Sequence, residues 1–243
     1  MTIVLNRPEA RNAVNGAVAE AIEASLDAYE ADDSLWAAIL TGSGTVFSAG
    51  ADLKEVAAGR VGRLSTERGG FGGLVRRQRS KPLIAAVNGA ALAGGCELML
   101  SCDIAIAADS AFFGLPEVKR SLVAAAGGVF RLPRAVGRSV AMEMILTGDP
   151  IDASRALELG LVNRIVPGDE LLDAARALAS RIVANAPLAV QASRRIAERA
   201  LLDDDESLWR QSAQAIREIM QTEDFQEGPR AFVEKRPPLW KGR

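Results

Sequence analysis

Short apolar runs alternate with helical periodicities along the first part of the chain, and helical periodicity dominates the rest. Ile3-Val4-Leu5 reads as a strand closed by the proline turn Asn6-Arg7-Pro8-Glu9. From Asn12 or Asn15 onward, Val18, Ile22, Leu26 and Tyr29 recur at helical spacing, with Glu20, Glu23, Asp27 and Glu30 on the opposite side, until Asp32-Asp33 ends the pattern. Residues 36–41 then read as a buried strand, Gly42-Ser43-Gly44 as a turn and Val46-Phe47 as extended chain. Gly50 leads into a short helix from about Asp52. The same course returns once more: a strand over 83–87, a turn at Asn88-Gly89, the pair Gly94-Gly95 and a helix over 96–101. A third strand is expected over 103–107.

From about Ser139 the pattern predicts helices over 139–147, 153–159, 169–185, 188–202 and 206–222, separated by Gly148, Gly160, Pro187 and Asp203-Asp204-Asp205. The chain thus reads as an α/β core of strand-strand-helix turns over residues 1–140 and a helical region over 141–243, with no low-complexity linker between them. Residues 60–81 carry Arg60, Arg63, Arg68, Arg76, Arg77, Arg79 and Lys81 against Glu67 alone. That stretch reads either as a solvated mobile loop or as a loop beside an anionic ligand.

Composition narrows the chemistry. In 243 residues, hydrophobic residues are 49% and charged ones 25%, and Lys+Arg 29 against Asp+Glu 31 leaves a net charge of −2, a balance suited to a soluble globular protein. No basic surplus supports nucleic acid or an anionic membrane as partner. The apolar stretch 82–96 is too short and too broken by glycines to span a membrane, no signal or transit peptide is evident, and the cytoplasm is the expected location. There is no histidine, so Ser-His-Asp and Cys-His nucleophilic schemes and His-based zinc sites have no parts. The two cysteines, Cys96 and Cys102, read as packed reduced thiols, with no metal site expected.

Two glycine-bearing loops, residues 47–52 and 93–97, each lie between a strand and a helix start. First-turn amides lack intrahelical partners and carry the positive end of the helix dipole, and glycine lets a ligand approach closely. Each loop is therefore either a tight turn or an anion site, and two such amides could cradle one oxygen. A dinucleotide or phosphate-loop reading fails, because neither G-x-G-x-x-G nor G-K-[ST] is present. Two acids stand among apolar neighbours: Glu97, after the glycine pair, and Glu117, in Phe112-Phe113-Gly114-Leu115-Pro116-Glu117, with Lys119 the one lysine partner near in its own segment. Each is either a capping or salt-bridged residue or a functional carboxylate.

Taken in order, several segments resemble the enoyl-CoA hydratase/isomerase (crotonase) superfamily from Ile3 to about Arg236. They are Asn6-Arg7-Pro8-Glu9-Ala10-Arg11-Asn12-Ala13, residues 47–55, residues 86–98, Cys102-Asp103-Ile104, residues 113–118, Leu146-Thr147-Gly148, residues 156–162 and Phe232-Val233-Glu234-Lys235-Arg236. The resemblance implies a crotonase-like spiral of ββα turns with a C-terminal helical trimerisation region, assembled as a trimer or a dimer of trimers, and an acyl-CoA ligand. Coenzyme A is part of that substrate and no separate cofactor is implied. By the same likeness, the Ala51 and Gly94 amides hold the thioester oxygen, Ala49, Asp52, Leu53 and Lys54 border the CoA, and Lys235 reaches a neighbouring subunit's CoA.

The likeness is strongest to the two-glutamate enoyl-CoA hydratases, with Glu97 orienting and deprotonating water and Glu117 supplying a proton. Δ3,Δ2-enoyl-CoA isomerisation, which uses a carboxylate at the second position, and a non-catalytic crotonase-fold binding protein are the alternatives. Two departures stand out. The strand that precedes the segment matching Ile3 in the family has no counterpart, leaving edge pairing there open. After Glu117, residues 119–128 replace the proline and Gly-Ala-Gly-Gly of many short-chain hydratases, leaving acyl-chain preference open.

Overall fold

The apolar run Leu83–Val87 is buried at every position, the pattern of a strand covered on both faces. In the computed structural model, which describes residues 1–243, this strand lies at the centre of a five-stranded sheet. The strands are β1 (Thr2–Leu5), β2 (Ala38–Gly42), β3 (Val46–Ser48), β4 (Ser65–Thr66), β5 (Gly70–Phe71), β6 (Leu83–Val87), β7 (Ala90–Leu92), β8 (Ile104–Ala108), β9 (Phe112–Gly114), β10 (Ile151–Asp152) and β11 (Arg164–Val166). The larger sheet, in the order β1-β2-β6-β8-β11, is parallel throughout. A second sheet, β10-β9-β7-β3, is parallel except where β10 runs against β9.

Each turn of the spiral sends one strand to each sheet. Strands β2 and β3 precede helix α2 (Leu53–Ala57), β6 and β7 precede α3 (Gly94–Met99), and β8 and β9 precede a 3-10 helix, Pro116–Arg120, and then α4 (Gly128–Val136). The expected strand-strand-helix architecture is therefore present, as is the helical C-terminal region: α5 (Arg138–Thr147), α6 (Ala153–Glu158), α7 (Leu171–Val183), α8 (Pro187–Arg199), α9 (Asp205–Ile219) and α10 (Glu223–Val233). Helix α1 (Gly16–Ala31) starts where Asn15 accepts a hydrogen bond from the Val18 amide at 3.0 Å, and it buries Ile22, Leu26 and Tyr29. Alternate residues of β6 divide the interior. Leu83, Ala85 and Val87 join the main core, whereas Ile84 and Ala86 meet Leu171, Ala175 and Leu178 of α7.

Several boundaries differ from the sequence pattern. Strand β2 begins at Ala38, and helices α4 and α10 were not expected; both contain a proline, Pro133 and Pro229, where periodicity reads as broken. The division at residue 140 falls inside α5, and β10 and β11, from the helical region, complete the two sheets. β1 sits at the edge of its sheet, paired in parallel with β2 through Ile3 and Leu40.

The basic stretch 60–81 is exposed along much of its first half and anchored to other segments in its second. Arg68 and Arg77 both bond Asp27, and buried Lys81 donates to the Tyr29 and Asp32 carbonyls at 3.0 and 2.8 Å. The Arg79 side chain, 3% exposed, pairs with Asp103 at 3.0 Å. From α8, Arg194 reaches the same carboxylate at 2.8 Å and the Arg79 carbonyl at 2.6 Å. Burial would raise the Asp103 pKa, but the two guanidinium groups hold it below the ordinary carboxylate range. No helix is long and apolar enough to cross a membrane.

Candidate active site

The two glycine-bearing loops meet. At Gly50 φ is +87°, a conformation that suits glycine, and a Cβ added there would stand 2.7 Å from the Gly94 nitrogen and 2.9 Å from the Ala93 Cβ. The loop after β3 therefore runs directly against the start of α3. Ala93, which precedes that helix, has φ 51° and ψ −129°, a strained setting pinned by its amide's bond to the Gly114 carbonyl at 2.9 Å. Gly94 is the first residue of α3, so its N–H has no intrahelical acceptor. Ala51 is flanked by backbone bonds from Val14 to Gly50 and from Asp52 to Val14, and its own N–H is left without an acceptor.

One turn into α3, Glu97 is 3% exposed, and its Oε1 accepts a hydrogen bond from the Gly128 amide at 2.8 Å. Gly128 is the first residue of α4, so the positive end of that helix faces the carboxylate. Burial raises the Glu97 pKa, and the Gly128 amide and the Arg131 charge oppose the rise. Glu117, in the 3-10 helix, is 8% exposed, and its Oε2 is buried without a hydrogen-bond partner. Burial, reinforced by the negative charge of Glu97, pushes its pKa up to about 7. Lys119 does not answer Glu117; it pairs with Asp149 at 2.5 Å.

A cleft of about 1430 Å³ contains every residue expected at the site: Glu97, Glu117, Ala51 and Gly94, together with Ala49, Asp52, Leu53 and Lys54. Asp52 also serves the fold, capping α2 through the Lys54 amide at 3.1 Å and pairing with Arg7 at 3.1 Å. Leu53 and Lys54 are exposed at the cleft. Lys235, just after α10, is not part of its lining.

Sequence reasoning missed Arg7, Arg11, Arg120, Phe130 and Arg131, which also line the cleft, as does Arg76 of the basic stretch. Gly127-Gly128 ahead of Leu132 and Val136 was the available signal for α4, and hence for the amide that meets Glu97. No group of three or more acidic or cysteine side chains converges in a way that could hold a metal ion. Both cysteines are free, and burial pushes their thiol pKa values up.

Comparison with known proteins fits this geometry. The chain matches the family model described as "Enoyl-CoA hydratase/isomerase" over residues 1–243. It is 39% identical to a 2,3-dehydroadipyl-CoA hydratase of Escherichia coli (strain K12), covering 100% of this chain and 95% of the relative. It is 41% identical to a carnitinyl-CoA dehydratase of Salmonella enteritidis PT4, with the same coverage. Among solved structures, an enoyl-CoA hydratase from Mycobacterium tuberculosis H37Rv superimposes with a TM-score of 0.95 at 45% identity, covering 100% of this chain and 95% of that one. The chain belongs to the enoyl-CoA hydratase/isomerase family and is an enzyme whose named relatives are hydratases and dehydratases, that is, lyases.

Proposed function

We propose that this protein hydrates a 2-enoyl-CoA, adding water syn across C2=C3 to give a 3-hydroxyacyl-CoA. The observation that carries the reading is a pair of buried carboxyl groups on one cleft with unlike surroundings: Glu97 accepts a helix N-terminal amide, and Glu117 has an unpartnered oxygen and a pKa near 7. Two carboxyl groups in unlike surroundings, one held by an amide donor and one left unpartnered, suit proton removal from water at one carbon and proton delivery at the next.

In this reading the Ala51 and Gly94 N–H groups donate to the thioester oxygen. They stabilise the negative charge that develops there as water attacks C3, each by about 3–4 kcal/mol. Glu97, positioned by the Gly128 amide, which favours its anionic form against burial, orients a water and takes its proton. Glu117, in its protonated form, delivers its proton to C2; one water hydrogen stays on the oxygen as the C3 hydroxyl and the other is taken by Glu97, so the carboxyl pair ends with as many protons as it began with. Ala49, Leu53 and Lys54 border the CoA, with the Lys54 ammonium facing its phosphates and Asp52 holding the loop in shape. CoA enters and leaves as part of the substrate.

A trimer, or a dimer of trimers, is the assembly this reading expects. Its support is the apolar surface left open on the C-terminal helices and their tail, where Trp209, Phe232 and Val233 are 75%, 85% and 78% exposed.

The test is loss of the conjugated enoyl absorbance on adding the enzyme to 2-enoyl-CoA thioesters of increasing chain length. No turnover at high enzyme concentration would point to a non-catalytic member of the family. Glu97→Ala separates hydration from its rival: hydration collapses, whereas 3-enoyl to 2-enoyl isomerisation through Glu117 survives.

A further inference from the structure

The walls contributed by residues 61–76 and 120–131 lie outside the stretch assigned to CoA. They are partly apolar, through Val61, Leu64, Phe71, Leu122, Val123 and Phe130, but they also carry Arg76, Arg120 and Arg131. Elsewhere in this chain arginines are commonly answered by carboxylates, as at Arg7, Arg60, Arg77, Arg79 and Arg199. None of these three forms a salt bridge with a protein carboxylate, and the only acids on this part of the cleft are Glu97 and Glu117, which the reaction uses.

Their placement is built into the fold. Half-buried Arg131 donates to the Val75 carbonyl at 2.6 Å and the Ala126 carbonyl at 3.2 Å. Its Nη1 lies 2.3 Å from where a Cβ at Gly127 would be, so it occupies room that glycine leaves. That bond fixes Val75, the residue before Arg76. The Arg76 stem in turn lies across Gly70, whose added Cβ would stand 2.8 Å from its Cγ. Arg120 ends the 3-10 helix that carries Glu117, and neither its side chain nor that of Arg76 has a hydrogen-bond partner. Arg131 and Arg120 are offset in part by the charges of Glu97 and Glu117, and Arg76 faces no carboxylate, so cations without a salt bridge over apolar walls turn this end of the cleft positive, an arrangement suited to an anion and hostile to a cation.

We infer that the acyl group bound here ends in a carboxylate, met by Arg76 and Arg120 with the Arg131 charge behind them, so that the substrate is the CoA thioester of an unsaturated dicarboxylic acid. The inference rests on the hydratase reading for its reaction and on the cleft's charge for its substrate class. Guanidinium groups favour this partner because their planar donors match a carboxylate's two oxygens.

The test compares a 2-enoyl-CoA ending in carboxylate with its methyl-ended counterpart of equal length, on the wild-type enzyme and on Arg76→Gln/Arg120→Gln. The wild type should favour the carboxylate-ended thioester in kcat/KM by roughly tenfold to a hundredfold, the usual worth of a charge-assisted hydrogen bond. In the double variant that ratio should fall to near one. A wild type without the preference, a ratio that survives in the variant, or an equal loss on both thioesters, as arginines serving the CoA phosphates would give, overturns the inference. If no 2-enoyl-CoA is turned over, the hydratase reading fails separately. Calorimetric affinities for the saturated carboxylate-ended and methyl-ended acyl-CoA pair, measured on the same proteins, then decide the substrate class.

Discussion

The Gly128 amide donates to Oε1 of Glu97 at 2.8 Å, while Oε2 of its neighbour Glu117 is buried without a partner. One carboxyl group is thus oriented by a donor that opposes the rise in its pKa, and the other, with no such donor, holds its proton more tightly. Both should be indispensable to hydration. Glu97→Gln and Glu117→Gln are each expected to lower kcat by roughly 10²–10⁴ with a smaller change in KM, read in steady-state assays on folded protein.

The rate should fall as pH rises through about 7, because Glu117 then loses the proton it supplies. A kcat/KM profile should show that descending limb. The residual rate of Glu117→Gln should lack it; a limb that persists in the variant assigns the titration to another group.

Stability should follow the same proton with a definite sign. Since the folded-state pKa of Glu117 lies above its ordinary 4.5, the folded protein binds the proton more tightly, and that contribution is lost as pH climbs from 4.5 through about 7. Ionised Glu117 then costs about 3 kcal/mol. Glu117→Gln should therefore be more stable than wild type at about pH 8, by up to that amount, and nearly equal to it at about pH 4, as followed by urea unfolding.

Gly50→Ala should cost at least about 2 kcal/mol, combining a positive φ with a Cβ pressed 2.7 Å from the Gly94 nitrogen, and should damage turnover as the two loops part. Gly59→Ala is the control. Its φ is also positive, +73°, but a Cβ there meets nothing within 4 Å, so only the backbone penalty of about 1 kcal/mol remains.

Asp103→Ala should destabilise the protein by about 3–5 kcal/mol, because Arg79 and Arg194 both lose their carboxylate and Arg79 cannot reach water. Removing Asp173, which pairs with Arg176 on the surface, should change stability by less than about 1 kcal/mol. Parallel denaturation curves distinguish the two.

Features written in contiguous residues were legible before folding. The strand-strand-helix turns, the glycine loops around Gly50 and Gly94 and the two isolated glutamates each announce themselves within a few positions, and the cleft gathers them all. What remained hidden depends on distance along the chain. Gly128 meets Glu97 across 31 positions, and Arg194 meets Asp103 across 91. Neither pairing leaves a local pattern. The pairings of the basic stretch were hidden for the same reason, since Asp27 and Asp103, the carboxylates that answer Arg68, Arg77 and Arg79, lie on other segments. Helices α4 and α10 were masked by Pro133 and Pro229, because a proline looks like a terminator until tertiary packing supports the turn around it.

Arg79 lies only three residues beyond Arg76, so the clamp that joins it to Asp103 and Arg194 ties one rim of the cleft to the outer helical layer. On the inference that Arg76 reads the acyl group, the choice of thioester is a heritable property of α8 as well as of the lining itself. Drift in that distant helix could retune selectivity without altering a single residue that touches the ligand.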